Sequence, residues 1–244
     1  MDYFDKWQDY WDKFLFNRYG KEAVQNEDDL FLQVARTENK KRVTHEIFER
    51  IIELIKSDLD LKTDDILVDL CCGNGLFTYE LKNTVKQIIG VDFSRSIIET
   101  ASKFKIANNI SYHYGSAVDF MKSFGALMPG VIPSKYLMND ALAYFQQKDF
   151  KELLFCIKAV SPHFKFLIRG VPNNDLKWNY YNTPERKQFY ADLQAKGDLT
   201  NYGLGTWWQP EDIKEICEEL GLNYVITNQQ LPVSNFRMDI CISA

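Results

Sequence analysis

Two carboxylates at strand ends carry the first chemical signal. Asp69 closes the apolar run Ile66-Leu67-Val68 and precedes the turn Cys71-Cys72-Gly73-Asn74-Gly75. Asp92 closes a second run, Ile88 to Val91. Continuous, partly β-branched runs of this kind suit central parallel strands. Gly73 and Gly75 allow a sharp bend and a close backbone approach to a ligand. A carboxylate about 20 residues beyond such a turn can accept hydrogen bonds from both ribose hydroxyls. The pattern predicts a nucleoside site.

Charge narrows the nucleoside. Dinucleotide enzymes present G-x-G-x-x-G and a helix N-terminus to a pyrophosphate. Gly73, Gly75 and Thr78 match that pattern only in part, and Asp69 would repel a diphosphate. An anion there favours a ligand with an ammonium or sulfonium group. The run Asp69-Leu70-Cys71-Cys72-Gly73-Asn74-Gly75 resembles the acidic-x-Gly-x-Gly-x-Gly motif of class I S-adenosylmethionine-dependent methyltransferases. Cys71 stands where that family has its first glycine, a departure tolerated on the ground that the side chain is small.

The resemblance implies that Asp69, Cys71, Gly73 and Gly75 hold the methionine end and Asp92 the ribose, with Phe93 against the adenine. Ser116 and Ala117 lie where relatives place an aspartate that reads the adenine amino group. Asn139 and Asp140, at the fourth strand end, fall where the superfamily varies with its acceptor. Asn139 is assigned to the cofactor and Asp140 to catalysis, as a general base, with a helix N-cap as the competing role for Asp140. The Asn/Asp-Pro-Pro-aromatic motif of adenine-N6 and amide-nitrogen methyltransferases is absent, which argues against DNA modification.

An aromatic-rich insert at about 172–208 holds Trp178, Tyr180, Tyr181, Tyr202, Trp207 and Trp208. Rings with polar tips suit the wall of a small-molecule pocket and the enclosure of a sulfonium, or simply anchor the insert to the core. Tyr144, Tyr181 and Trp207 are assigned to the acceptor. Arg169, Arg186 and Arg36 are placed nearest the mouth, the first two as acceptor ligands for a carboxylate or phosphate. Tyr-Asn-Thr-Pro-Glu-Arg and Gly-Thr-Trp-Trp resemble a subgroup of bacterial methyltransferases encoded near surface-glycan genes.

The elements that must position these residues follow from periodicity. Phe4, Trp7, Trp11 and Phe14 recur at helical spacing, as do Val43, Ile47, Phe48, Ile51 and Ile55. Residues 1–60 read as a helical cap and 61–244 as the methyltransferase domain. Strands and helices then alternate, as in a parallel α/β sheet. The last strand, Phe236 to Ile242, alternates apolar and polar residues like an antiparallel hairpin strand. The expected architecture is Rossmann-like and doubly wound: seven strands, mostly parallel, the last antiparallel, with the helical cap before them.

With 244 residues and a formal charge of −5, the chain shows no basic strip for nucleic acid. No leader and no apolar run of about 20 residues is seen, so a cytoplasmic, membrane-free protein is expected. Five cysteines, two of them adjacent, fit neither a disulfide framework nor a zinc pattern. His45, His113 and His163 lack ligand spacing, and no metal is expected. The reading is methyl transfer from S-adenosyl-L-methionine, giving S-adenosyl-L-homocysteine, to oxygen or nitrogen of a small polar metabolite or sugar-linked intermediate. The protein would be a monomer or homodimer, with the cap and insert as a lid. Two alternatives stand beside it: an NAD(P)-dependent oxidoreductase, and a catalytically silent cofactor-binding protein.

Overall fold

The apolar runs form the strands their composition requires. Ile66–Leu70 is β1, Gln87–Asp92 β2, Ile110–Tyr114 β3 and Lys135–Asn139 β4. Lys165–Pro172 is β5, Asn223–Asn228 β6 and Arg237–Ser243 β7. The structure, a computed structural model, describes residues 3–38, 40–195, 204–229 and 234–244, the side chains of Tyr3 and Phe4 excepted. Tyr202 and the Phe4 side chain, both invoked above, lie outside the described residues.

The seven strands make one sheet in the order β3-β2-β1-β4-β5-β7-β6. β1 pairs in parallel with β2 and β4, and β2 with β3. β7 runs antiparallel to both β5 and β6. This is the Rossmann-like sheet with a reversed last strand. β5 continues past Ile168 with a register shift between Ile168 and Val171, where Gly170 takes a φ of 72°. The chain divides into two compact units, residues 1–137 and 138–244.

Residues 1–137 carry α1 (Tyr3–Asp12), α2 (Phe14–Tyr19), α3 (Glu27–Gln33), α4 (His45–Leu59), α5 (Leu76–Glu80), α6 (Arg95–Phe104), α7 (Ala117–Lys122) and α8 (Phe124–Leu127). The helices of residues 1–60 belong to the same unit as β1–β3. α4 starts where Thr44 accepts from Ile47 N–H and buries Phe48, Ile51, Ile52, Ile55 and Leu59 on one face. Phe31, Phe48 and Phe77 then pack ring to ring, joining α3 and α4 to α5. A two-stranded ribbon, Thr37–Glu38 with Lys41–Arg42, follows α3 and escaped sequence reading because each strand has only two residues.

Residues 138–244 carry α9 (Gln147–Val160), α10 (Lys177–Tyr180), α11 (Pro184–Ala195) and α12 (Pro210–Glu219). Pro184 and Pro210 each open a helix, where a missing N–H costs nothing. α12 buries Ile213, Ile216 and Cys217 against the core of this unit. Among the described residues no helix is long and apolar enough to cross a membrane, and all five cysteines are free thiols.

Candidate active site

The site begins where β1 and β2 end. After Leu70 the chain passes through three left-handed residues, Cys71 (φ 59°), Gly73 (φ 59°) and Gly75 (φ 74°), before α5. The size of Cys71 is therefore not what matters there: its cost is in the backbone, since a non-glycine residue in this region is strained. The glycines also have a packing role. A Cβ at Gly75 would come within 2.3 Å of the Tyr112 hydroxyl, and one at Gly73 within 3.1 Å of Val34 Cγ1. Gly90 on β2 is likewise filled by the Tyr112 ring, 2.8 Å from a built Cβ.

Asp92 receives backbone N–H bonds from Gly73 and Ser94, both at 2.9 Å, which clamp the turn to the tip of β2. Asp69 is deeper than a strand-tip residue would be, only 2% exposed, and accepts a 2.6 Å hydrogen bond from the Thr78 hydroxyl. Burial pushes the Asp69 carboxyl up to about 7, against the Thr78 bond, and the Asp92 charge adds to the rise. Burial likewise raises Asp92 to about 6, against its backbone bonds. Among the described residues the main influences on both carboxylates are burial, hydrogen bonds and neighbouring carboxylates. Burial, with the two aspartates beside them, raises the Cys71 and Cys72 thiols well above the usual range, so neither is a ready nucleophile.

Helix α1 lies against this corner. Asp12 accepts from the Ser94 hydroxyl at 2.6 Å, and Gln8 Nε2 donates to the Phe93 carbonyl at 3.0 Å and the Tyr114 hydroxyl at 2.7 Å. α3 grips the glycine turn itself: Asn74 Nδ2 donates to the Leu30 carbonyl and to Gln33 Oε1. Asn74 Oδ1 is buried with no hydrogen-bond partner. Ser116 is the N-cap of α7, accepting from Asp119 N–H and donating to Asp119 Oδ2 at 2.8 Å, and Ala117 is buried in the first turn. The Ser116 hydroxyl is thus engaged in the helix cap.

In residues 138–244 the site residues gather around the β5 bulge. Asp140 has a φ of 56°, and its carboxylate fills the space a Cβ on Gly170 would need. Arg237 Nη1 donates to Asp140 Oδ1 and to the Gly170 carbonyl, each at 2.5 Å. The N-cap alternative for Asp140 is corrected: the 3-10 turn Leu142–Tyr144 is preceded by Ala141 and has no side-chain cap, while Asp140 is ion-paired. Asn139 Nδ2 is buried without a hydrogen-bond partner, a donor available to a ligand.

Arg169 is not at a mouth. It is 1% exposed and pairs with Asp239 at 3.0 Å, which also accepts from Gly170 N–H and Gln229. An arginine inside a sheet strand is buried when the opposite strand supplies an aspartate, and Asp239 on β7 does so. Arg186 is exposed on α11, donates to the Tyr180 carbonyl and stacks on its ring at 4.9 Å. Arg36, in residues 1–137, stacks on Phe77 at 4.8 Å. Tyr180, Tyr181, Trp207 and Phe236 form a continuous ring cluster, with Trp178 and Tyr190 at its side. Tyr181 is buried in it, whereas Trp207 and Tyr144 stay half-buried. Trp208 is an anchor: its ring donates to the Leu142 carbonyl and packs on Phe150.

Gln8, Asp12, Arg237 and Asp239 were missed by motif reading, and Thr78 and Asn74, though within the motif, were given no role of their own. Arg237 and Asp239 had a signal, since both lie on the face of β7 opposite Met238, Ile240 and Ile242. Gln8 and Asp12 had none, because a helix docked by two polar residues looks like any amphipathic helix. Among the described residues no three His, Cys, Asp or Glu side chains cluster as a metal site.

The arrangement suits a cationic nucleoside. Within residues 1–137, two buried carboxylates and the orphaned acceptor of Asn74 accept an ammonium or sulfonium more readily than a diphosphate. Comparison agrees on the fold. Magnesium protoporphyrin IX methyltransferase from Synechocystis, solved with bound S-adenosylhomocysteine, superposes with a TM-score of 0.60 at 12% identity over 99% of each chain. Geranyl diphosphate C-methyltransferase from Streptomyces coelicolor gives 0.61 at 12% identity, over 100% of this chain and 98% of that one. The chain has the class I S-adenosylmethionine-dependent methyltransferase fold. The 23S rRNA (uracil(1939)-C(5))-methyltransferase RlmD of Francisella tularensis is 33% identical over 38% of this chain and 19% of its own. The chain spans about a fifth of the length of the curated relatives it matches. No family model matches.

Proposed function

We propose that this protein transfers a methyl group from S-adenosyl-L-methionine to an oxygen or nitrogen atom of a small, polar, anionic metabolite or sugar-linked intermediate. The observation that carries this reading is the buried Asp69–Asp92 pair around a left-handed turn. Asp92 takes the ribose hydroxyls, the region of Asp69 and Asn74 the ammonium, and Phe93 the base. Asn139 offers a donor to the methionine end. The bound cofactor supplies a methyl carbon already activated by its positive sulfur. Asp140, held by Arg237, takes the acceptor's proton as the acceptor gains the methyl. Most of the acceleration comes from alignment in a dry site. Trp207, Tyr181 and Tyr144 give the acceptor apolar surface, and Arg186 an anion contact.

Calorimetry with S-adenosylhomocysteine and with NADH tests the cofactor. Micromolar binding of the first and none of the second is expected, and the reverse overturns the reading in favour of an oxidoreductase. Asp92→Ala is expected to weaken that binding at least tenfold. A second acceptor class, RNA, is favoured by the match to RlmD. The charge of −5 opposes it. Labelled methyl transfer into total RNA, set against a panel of hydroxy acids and sugar nucleotides, separates the two. Tight cofactor binding with no transfer to either would support the silent alternative.

A further inference from the structure

We propose that Gln8, on α1, is the residue that reads the amino edge of the nucleoside's base. This rests on the reading that Asp92 holds the ribose. β2 and β3 stay in register to their last residues, with Asp92 opposite Tyr114. Neighbouring strands lie about 4.8 Å apart. We place a purine, on a ribose held at Asp92, over Phe93 and beside the tip of β3.

Gln8 bridges that same gap. Its Nε2 donates to the Phe93 carbonyl at 3.0 Å and to the Tyr114 hydroxyl at 2.7 Å. The carbonyl accepts only, so it fixes which amide atom is nitrogen. Gln8 Oε1 is left as an oriented acceptor with no hydrogen bond among the described residues. One turn further on, Asp12 fastens the helix by accepting from Ser94 and Ser96, so the amide is held from both sides of Phe93. The 6-amino group of adenine is a donor and needs such an acceptor.

Ser116 is already engaged in the cap of α7, where its hydroxyl accepts from Asp119 N–H and donates to Asp119 Oδ2. The ligand class assigned to Gln8 is thus a 6-aminopurine nucleoside. A 6-oxopurine would set two acceptors against each other. A site with an oriented polar partner discriminates strongly against the analogue that cannot satisfy it.

The test is calorimetric binding of S-adenosylhomocysteine and its 6-oxo analogue, S-inosylhomocysteine, to wild type and to Gln8→Leu. Wild type is expected to favour the adenosyl compound by at least about tenfold. Gln8→Leu should bind both with a ratio near one. Equal weakening of both ligands, with the ratio intact, would make Gln8 a mere helix anchor and overturn the proposal, as would an unchanged variant. Gln8→Asn retracts the amide by one methylene and gives the same collapse should the leucine variant fail to fold. Wild type that binds neither nucleoside overturns the ribose reading itself, and this proposal with it. Wild type that binds the adenosyl compound, with Gln8→Leu keeping the preference, overturns this proposal alone.

Discussion

Cys71 stores a backbone cost that loss of its side chain relieves. At φ 59° its side chain opposes the backbone, and Cys71→Gly is expected to raise stability by about 1 kcal/mol, seen as a higher midpoint in urea. The buried carboxylates set a pH dependence opposite to that of paired ones. Asp69 and Asp92 rise to about 7 and about 6 in the folded chain, above the ordinary 3.8. The folded state therefore holds more protons between about pH 4 and 7, and the pair's contribution to stability is lost as pH rises through that window. Above about pH 7 both are charged, so S-adenosylhomocysteine binding should tighten from pH 5.5 to 8 while the unliganded protein becomes less stable. Melting curves and calorimetry at the two pH values check both signs. The identities and positions of Asp69 and Asp92 could be read from the sequence, since strand tips follow from apolar runs. The depth of Asp69 could not, because it depends on Thr78 closing over it from α5.

Helices and strands carry the next set of consequences. Ser94 caps α6 by accepting from Ile97 N–H and donates to Asp12 on α1. Ser94→Ala is expected to cost about 1 kcal/mol through the cap and to speed hydrogen exchange in α1, which a lost cap alone would leave unchanged. β5 and β7 are joined at the bulge by Arg169 and Asp239, a pair with almost no water. Asp239→Asn should cost about 3 kcal/mol by leaving the guanidinium without its countercharge, and Arg169→Met with Asp239→Leu should recover most of that. Denaturant titrations measure both. Parallel strands and helix stripes were legible because each writes its own period. The bulge and the buried pair were not, since they arise where residues 70 positions apart meet across β5 and β7. For the same reason Arg169 read as a surface cation and proved to be an interior one.

At the scale of the whole chain, charge is the property that bears on partners. A formal net charge of −5 and a sequence pI of 5.3 leave little to drive counterion release from a polyanion. Fluorescence anisotropy with single-stranded and duplex RNA at about 50 mM salt should show no binding at micromolar protein. Seven strands with a reversed last one were legible, whereas the order β3-β2-β1-β4-β5-β7-β6 was not, because connection rules narrow the topologies without fixing one. The docking of α1 was not foreseeable: its ring stripe says that a face is buried, not what covers it. Tyr112 has a consequence of its own. One phenol ring fills the hollow beneath both Gly75 and Gly90, so these three positions share a fixed volume. Bulk can be traded among them, Gly90→Ala with Tyr112→Val for example, and the underside of the loop rebuilt as a unit while its outward surface stays as it is.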